Sequence, residues 1–150
     1  MKKLFYFFIT VTLLAGCKTI NEASNPNIAI LTLEKTVCRG LCPVYSLSIF
    51  ENGFVKYVGK KNVEKIGSFE KTLSNAEIQS LKTAFNEADF FSYKDEYTAK
   101  VTDLPTTFIS YTQNGRTKRI RDYYGAPDSL KQLEDLLVAV AESQKGWKKN

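Results

Sequence analysis

The sequence predicts one α+β domain: an antiparallel sheet built from two Asn-Gly hairpins with two helices packed on one face, in a ββα-ββα-like order plus one or two extra strands. Three observations carry that expectation. Asn52-Gly53 and Asn114-Gly115 each separate two apolar-rich runs, a strong hairpin signal because a type I′ turn needs positive φ at both central residues. Each hairpin is followed by a segment whose apolar residues recur at helical spacing. Finally, 150 residues that begin with a signal-like stretch leave room for only one core of ordinary size.

Taken in order, Ile28 to Lys35 (IAILTLEK) is a short apolar run suited to a buried strand. After a cysteine-containing loop, Tyr45 to Phe50 and Phe54 to Gly59 flank the first Asn-Gly pair, and Ile66 to Thr72 can add a strand. Ser74-Asn75-Ala76-Glu77 fits a capping box, in which Ser74 accepts the N3 amide and Glu77 reaches back. The helix it opens carries Ile78, Leu81, Phe85 and Ala88 on one face. Thr106 to Gln113 and Arg116 to Asp122 flank the second pair, and after Gly125-Ala126-Pro127 a helix turns Leu130, Leu133, Leu137 and Val140 inward. Strands followed by helices and joined by tight hairpins favour helices gathered on one sheet face. A two-residue loop at Asn114-Gly115 sets Ile109 opposite Ile120, which leaves Phe108, Ser110, Thr112, Thr117, Arg119 and Arg121 on the other face.

The N-terminus has a different character. Lys2 and Lys3 precede an apolar run from Leu4 to Leu14, and Leu14-Ala15-Gly16-Cys17 closes it with small residues. Eleven residues are too few for a bilayer core, which needs about 20. The four closing residues resemble the bacterial lipobox. That resemblance implies a signal peptide over 1–16, cleavage before Cys17, and acyl chains on Cys17 as a membrane anchor, with each buried methylene worth about 0.8 kcal/mol. Residues 17–27 then form the lipidated cysteine and a polar tether whose ten residues after Cys17 reach about 35 Å at most. The domain follows over 28–143, with a polar tail over 144–150. Lys18, rather than aspartate, after the lipidated position resembles the pattern by which enterobacterial lipoproteins are released to the outer membrane, which is the localisation that resemblance implies.

With Lys2 and Lys3 removed, 19 bases face 16 acids, a formal +3. So small an excess does not call for a nucleic-acid partner. The absence of histidine excludes Ser-His-Asp and Cys-His nucleophiles and every histidine-containing metal site. Neither a catalytic residue nor a cofactor or metal is expected.

Cys38-Arg39-Gly40-Leu41-Cys42-Pro43 is the most distinctive mature segment. A bridge needs Cα atoms within roughly 7 Å, whereas four extended steps span about 13 Å, so a bridge between Cys38 and Cys42 requires a tight turn that Gly40 can supply. A thiol-disulfide redox pair is the alternative, although redox pairs are usually Cys-x-x-Cys at a helix start and this one leads into a strand. The basic strand Arg116 to Arg121, with Phe108, Tyr123 and Tyr124 around Arg119 and Arg121, offers guanidinium forks to an acidic ligand, or is simply a solvated sheet face. Asp95, Glu96, Asp103, Asp122 and Asp128 are carboxylates that nothing in the sequence places together.

The segments Cys38 to Ser46, Asn52-Gly53, Thr102 to Thr107 and Asp122 to Pro127 resemble the domain of unknown function 6438 family, found in lipoproteins and other exported proteins, largely of Bacteroidetes. The resemblance implies a single exported domain and a bridge between Cys38 and Cys42, and it carries over no catalytic residue. The expected function is therefore a lipid-anchored cell-envelope lipoprotein with a non-enzymatic domain that binds a protein, peptide or acidic glycan, the alternative being a redox protein using Cys38 and Cys42.

Overall fold

The computed structural model describes residues 28–150, so the signal peptide expected over 1–16 and the lipidated Cys17 and tether expected over 17–27 lie outside the described residues. The chain folds as an α+β domain with an open eight-stranded sheet and two helices. In chain order these are β1 (Ala29–Lys35), β2 (Val44–Phe50), β3 (Phe54–Lys61), β4 (Gly67–Thr72), α1 (Asn75–Glu87), β5 (Glu96–Tyr97), β6 (Thr107–Gln113), β7 (Arg116–Asp122), α2 (Asp128–Glu142) and β8 (Lys148–Lys149). Across the sheet the order is β5-β7-β6-β1-β2-β3-β4-β8. The apolar run of β1 thus lies in the middle, antiparallel to both β2 and β6, where Leu31 and Leu33 are fully buried.

Period-2 alternation decides what each sheet face carries. Leu31, Leu33, Leu47, Ile49, Val55, Ile109, Tyr111 and Ile120 form one buried cluster with Ile78, Leu81 and Phe85 of α1 and Leu130, Leu133 and Leu137 of α2. Val140 is only half-buried and Ala141 takes the buried place at the end of α2. The opposite sheet face is uncovered by helix. It presents small hydroxyls along its middle, where Thr32 and Ser110 hydrogen-bond, with Phe108, Arg119 and Arg121 towards the β7 flank.

Four features depart from the sequence expectation. The first hairpin turns over three residues, with Ile49 opposite Val55, and only Gly53 of its Asn-Gly pair has positive φ, at 83°. The extra residue lets Gly53 exchange contacts with the end of β4: the Leu73 amide donates to the Gly53 carbonyl at 2.9 Å, and a Cβ on Gly53 would stand 2.4 Å from the Leu73 carbonyl oxygen. Asn114-Gly115 has positive φ at both positions. The sheet is not wholly antiparallel, because β5 pairs with β7 in parallel. Beyond the two hairpins there are four strands, β1, β4, β5 and β8, rather than one or two. Lastly, the segment expected as a polar tail is tied down: β8 pairs with β4, and the Trp147 ring lies 5.6 Å from that of Tyr57. One large aromatic suffices to anchor an otherwise polar terminus, through its area and a hydrogen bond from its indole N–H to the Ser143 carbonyl at 2.9 Å.

Candidate functional site

The antiparallel registers fix which loops share an end of the sheet. Lys35 faces Tyr45 and Thr107, Val44 faces Lys61, Gly59 faces Gly67 and Thr107 faces Asp122. Four loops, over 36–43, 62–66, 98–106 and 123–127, therefore emerge at one end. The two Asn-Gly turns lie at the other end, as does the start of β1, where Ala29 faces Phe50.

Named contacts join these four loops into one surface. The Asn62 side-chain amide donates to the Cys42 carbonyl at 3.1 Å. The Thr36 amide donates to the Thr106 carbonyl at 3.0 Å, and the Thr106 amide returns a bond to the Thr36 hydroxyl at 2.9 Å. Arg39 pairs with Asp103 at 2.8 Å, and the Tyr123 hydroxyl donates to the Val101 carbonyl at 2.9 Å. Cys38 and Cys42 are bonded, with Cα atoms 5.8 Å apart, and the Gly40 amide donates to the Cys38 sulfur at 3.2 Å. That closed turn holds Leu41 outward, 86% exposed. Val37, Ile66, Leu104 and Tyr124 are exposed on the same loops, so five of the seven large apolar side chains exposed among the described residues stand at this end.

The basic strand has a different geometry. Arg119 stacks on Phe108, 4.1 Å from the ring centre, and pairs with Glu34 at 3.0 Å. Arg121 pairs with Glu96 and lies 5.7 Å from the Tyr123 ring centre. Both guanidiniums thus already have carboxylate partners on the open sheet face. Tyr123 is held by its bond to Val101, and Tyr124 belongs to the four-loop end. The remaining carboxylates are likewise engaged: Asp95 pairs with Lys118 at 2.9 Å, Asp103 with Arg39 and Asp122 with Lys131, while Asp128 sits in the first turn of α2.

One carboxylate pair was not legible beforehand. Asp122 of β7 and Glu134 of α2 are both buried and share Lys131, whose ammonium is 3.4 Å from Glu134. Burial raises the Glu134 carboxyl to about 7, against the pull of Lys131 and helped by the negative Asp122. One oxygen of each carboxylate lacks a partner, and the residues sit inside the protein rather than on a cleft, so the pair fits a structural proton better than a substrate. The signal for it was Glu134 itself, four residues after Leu130 and three before Leu137 on the apolar stripe. No group of three or more His, Cys, Asp or Glu among the described residues could hold a metal.

Fold and site together define a class: an open-faced α+β domain whose exposed apolar loop tips gather opposite the point where the chain enters. The chain belongs to the family described as Domain of unknown function (DUF6438), whose model matches residues 29–141. No curated protein matches the chain at a significant level.

Proposed function

We propose that this chain is a lipid-anchored lipoprotein of the cell envelope, held through Cys17 in the outer membrane, whose domain is a non-enzymatic module that docks a protein or peptide through its four-loop end. The anchoring half rests on the positive start, the apolar run and the lipobox-like Leu14 to Cys17. The docking half rests on one observation, the collection of Val37, Leu41, Ile66, Leu104 and Tyr124 on loops cross-linked to one another. A fully buried side chain of this kind returns about 1.5 to 3 kcal/mol relative to leaving it in water, and apolar exposure concentrated on a patch rimmed by polar groups marks an interaction surface. The partner is a protein or peptide rather than an acidic glycan, because the loop tips offer apolar area while Arg119 and Arg121 are already paired with Glu34 and Glu96. The loops lie at the end of the sheet opposite the start of β1, where Ala29 faces Phe50.

Two measurements test the two halves. Metabolic labelling with a fatty acid should mark the wild-type protein and not Cys17→Ser; label kept by the variant defeats the anchoring. Leu41→Asp and Leu104→Asp should retain the wild-type melting temperature, being exposed, and should lose a partner that co-purifies from detergent-solubilised envelope. Retention of every partner by both variants defeats the docking.

A further inference from the structure

Two ladders of directly opposed residues cross the open sheet face from β7 to β4. One runs Arg119, Ser110, Thr32, Ser48, Lys56, Glu70. The next runs Arg121, Phe108, Glu34, Ser46, Val58, Ser68. On the four middle strands only Glu34 and Lys56 of these are charged, and the rest are small hydroxyls, Phe108 and Val58. A flat face of short side chains lets a second sheet approach to the spacing of about 10 Å at which sheets stack. The strand order divides evenly between β1 and β2, so each ladder has a centre there and its two halves can be compared.

We propose that this face packs on the same face of a second copy of the chain, in a dimer whose two-fold axis runs along the strands between β1 and β2. Such an axis lays β7 on β4, β6 on β3 and β1 on β2 of the second copy, and keeps each ladder on its own level. The halves of the ladders are then complementary. Arg119 meets Glu70, Phe108 meets Val58, Ser110 meets Lys56 and Thr32 meets Ser48. The Arg119 guanidinium, which pairs with Glu34 at 3.0 Å, has five donors and can take a second carboxylate; Glu70 accepts from the Asn150 side-chain amide at 3.3 Å and has lone pairs to spare. An axis across the strands would instead lay β7 on β7 and gather the arginines of both copies. Six strands about 4.8 Å apart and about seven residues long give a footprint of about 670 Å² on each copy, enough for the total of about 1,200 to 2,000 Å² that a stable interface buries. With the axis along the strands both four-loop ends stand at one end of the dimer, but the inference does not depend on what those loops dock. A crosslink from this face joins two copies of the chain, so it differs from any species formed at the loop end.

Charge reversal tests the pairing. Light scattering on the full-length protein in detergent, with micelles in excess, should give wild type the mass of two chains at micromolar concentration. Arg119→Glu and Glu70→Arg alone should each raise the dimer dissociation constant at least about tenfold, because each sets like charges against one another at both ends of the face. Mixing the two variants should restore the dimer, since every contact between positions 119 and 70 is then again between opposite charges. A variant that merely failed to fold would gain nothing from mixing. Ser48→Arg, which puts a long side chain in the middle of the face, should have the mass of one chain with its circular dichroism unchanged. Wild type with the mass of one chain, single reversals that dimerise as tightly as wild type, a mixture that stays monomeric, or a dimer that survives Ser48→Arg would overturn the proposal.

Discussion

Replacing Glu134 by glutamine should stabilise this protein at alkaline pH, and the size of the effect follows from its surroundings. Glu134 and Asp122 are buried side by side against the half-exposed ammonium of Lys131, two carboxylates sharing one ammonium. With both ionised the group carries an uncompensated negative charge in a low-dielectric setting, so burial raises Glu134 from the ordinary 4.5 to about 7. A folded pKa above the unfolded one means that the native state binds more protons between those values. The stability linked to this proton is therefore complete below about 4.5 and is lost as pH rises through about 7. Each pKa unit is worth 1.36 kcal/mol, which sets a ceiling of about 3 kcal/mol; because the Lys131 ammonium beside the pair is half exposed to solvent, about 2 kcal/mol is expected. Glutamine keeps a donor for Asp122 and carries no charge. Urea unfolding followed by Trp147 fluorescence should give Glu134→Gln and wild type similar stability at pH 5, and a variant about 2 kcal/mol more stable at pH 8. A wild-type stability that does not fall between pH 5 and 8, or a variant weaker at both, would refute the reasoning.

Cys38→Ser/Cys42→Ser should lose roughly 2 kcal/mol of stability, the chain-entropy value for so short a loop. The wild-type pair should have a reduction potential below about −300 mV if the bridge is structural; a value well above that favours the redox alternative. Gly59→Ala should cost more than about 2 kcal/mol by thermal denaturation, because its Cβ would collide with the Lys65 carbonyl oxygen and crowd Val63. Arg119→Ala/Arg121→Ala should shift stability by no more than about 1 kcal/mol, as exposed ion pairs do; a larger loss measured by urea unfolding would make those arginines structural.

What the sequence made legible was local. The capping box is present, with the Glu77 amide 3.3 Å from the Ser74 hydroxyl and the Ser74 amide 2.7 Å from the Glu77 carboxylate. The stripe Ile78, Leu81 and Phe85 is buried, because helical spacing is dictated by residues a turn apart. Relations between distant segments were not legible. Nothing in the run Ala29 to Lys35 says that it lies between β2 and β6, since an apolar strand pairs with any partner that satisfies its ladder. The gathering of Leu41, Leu104 and Tyr124 at one end follows only once those registers are known. Glu96 and Tyr97 make a two-residue parallel strand too short for any period, and the partners Glu34 and Glu96 that occupy Arg119 and Arg121 come from elements far away in the chain. The Cys38–Cys42 turn lay between these cases, being local in its geometry and non-local in its tie to Asp103.

The central claim, that the four-loop end of an anchored domain is where a partner docks, is tested most directly by site-specific photocrosslinking in the intact envelope. A photoreactive residue would replace Leu41 or Leu104 at the loop end, or Lys56, an exposed control on the open sheet face, in the full-length protein. Discrete crosslinked species from positions 41 and 104, absent from position 56, are the predicted result. No crosslink from either loop position, or the same species from all three, would contradict the account.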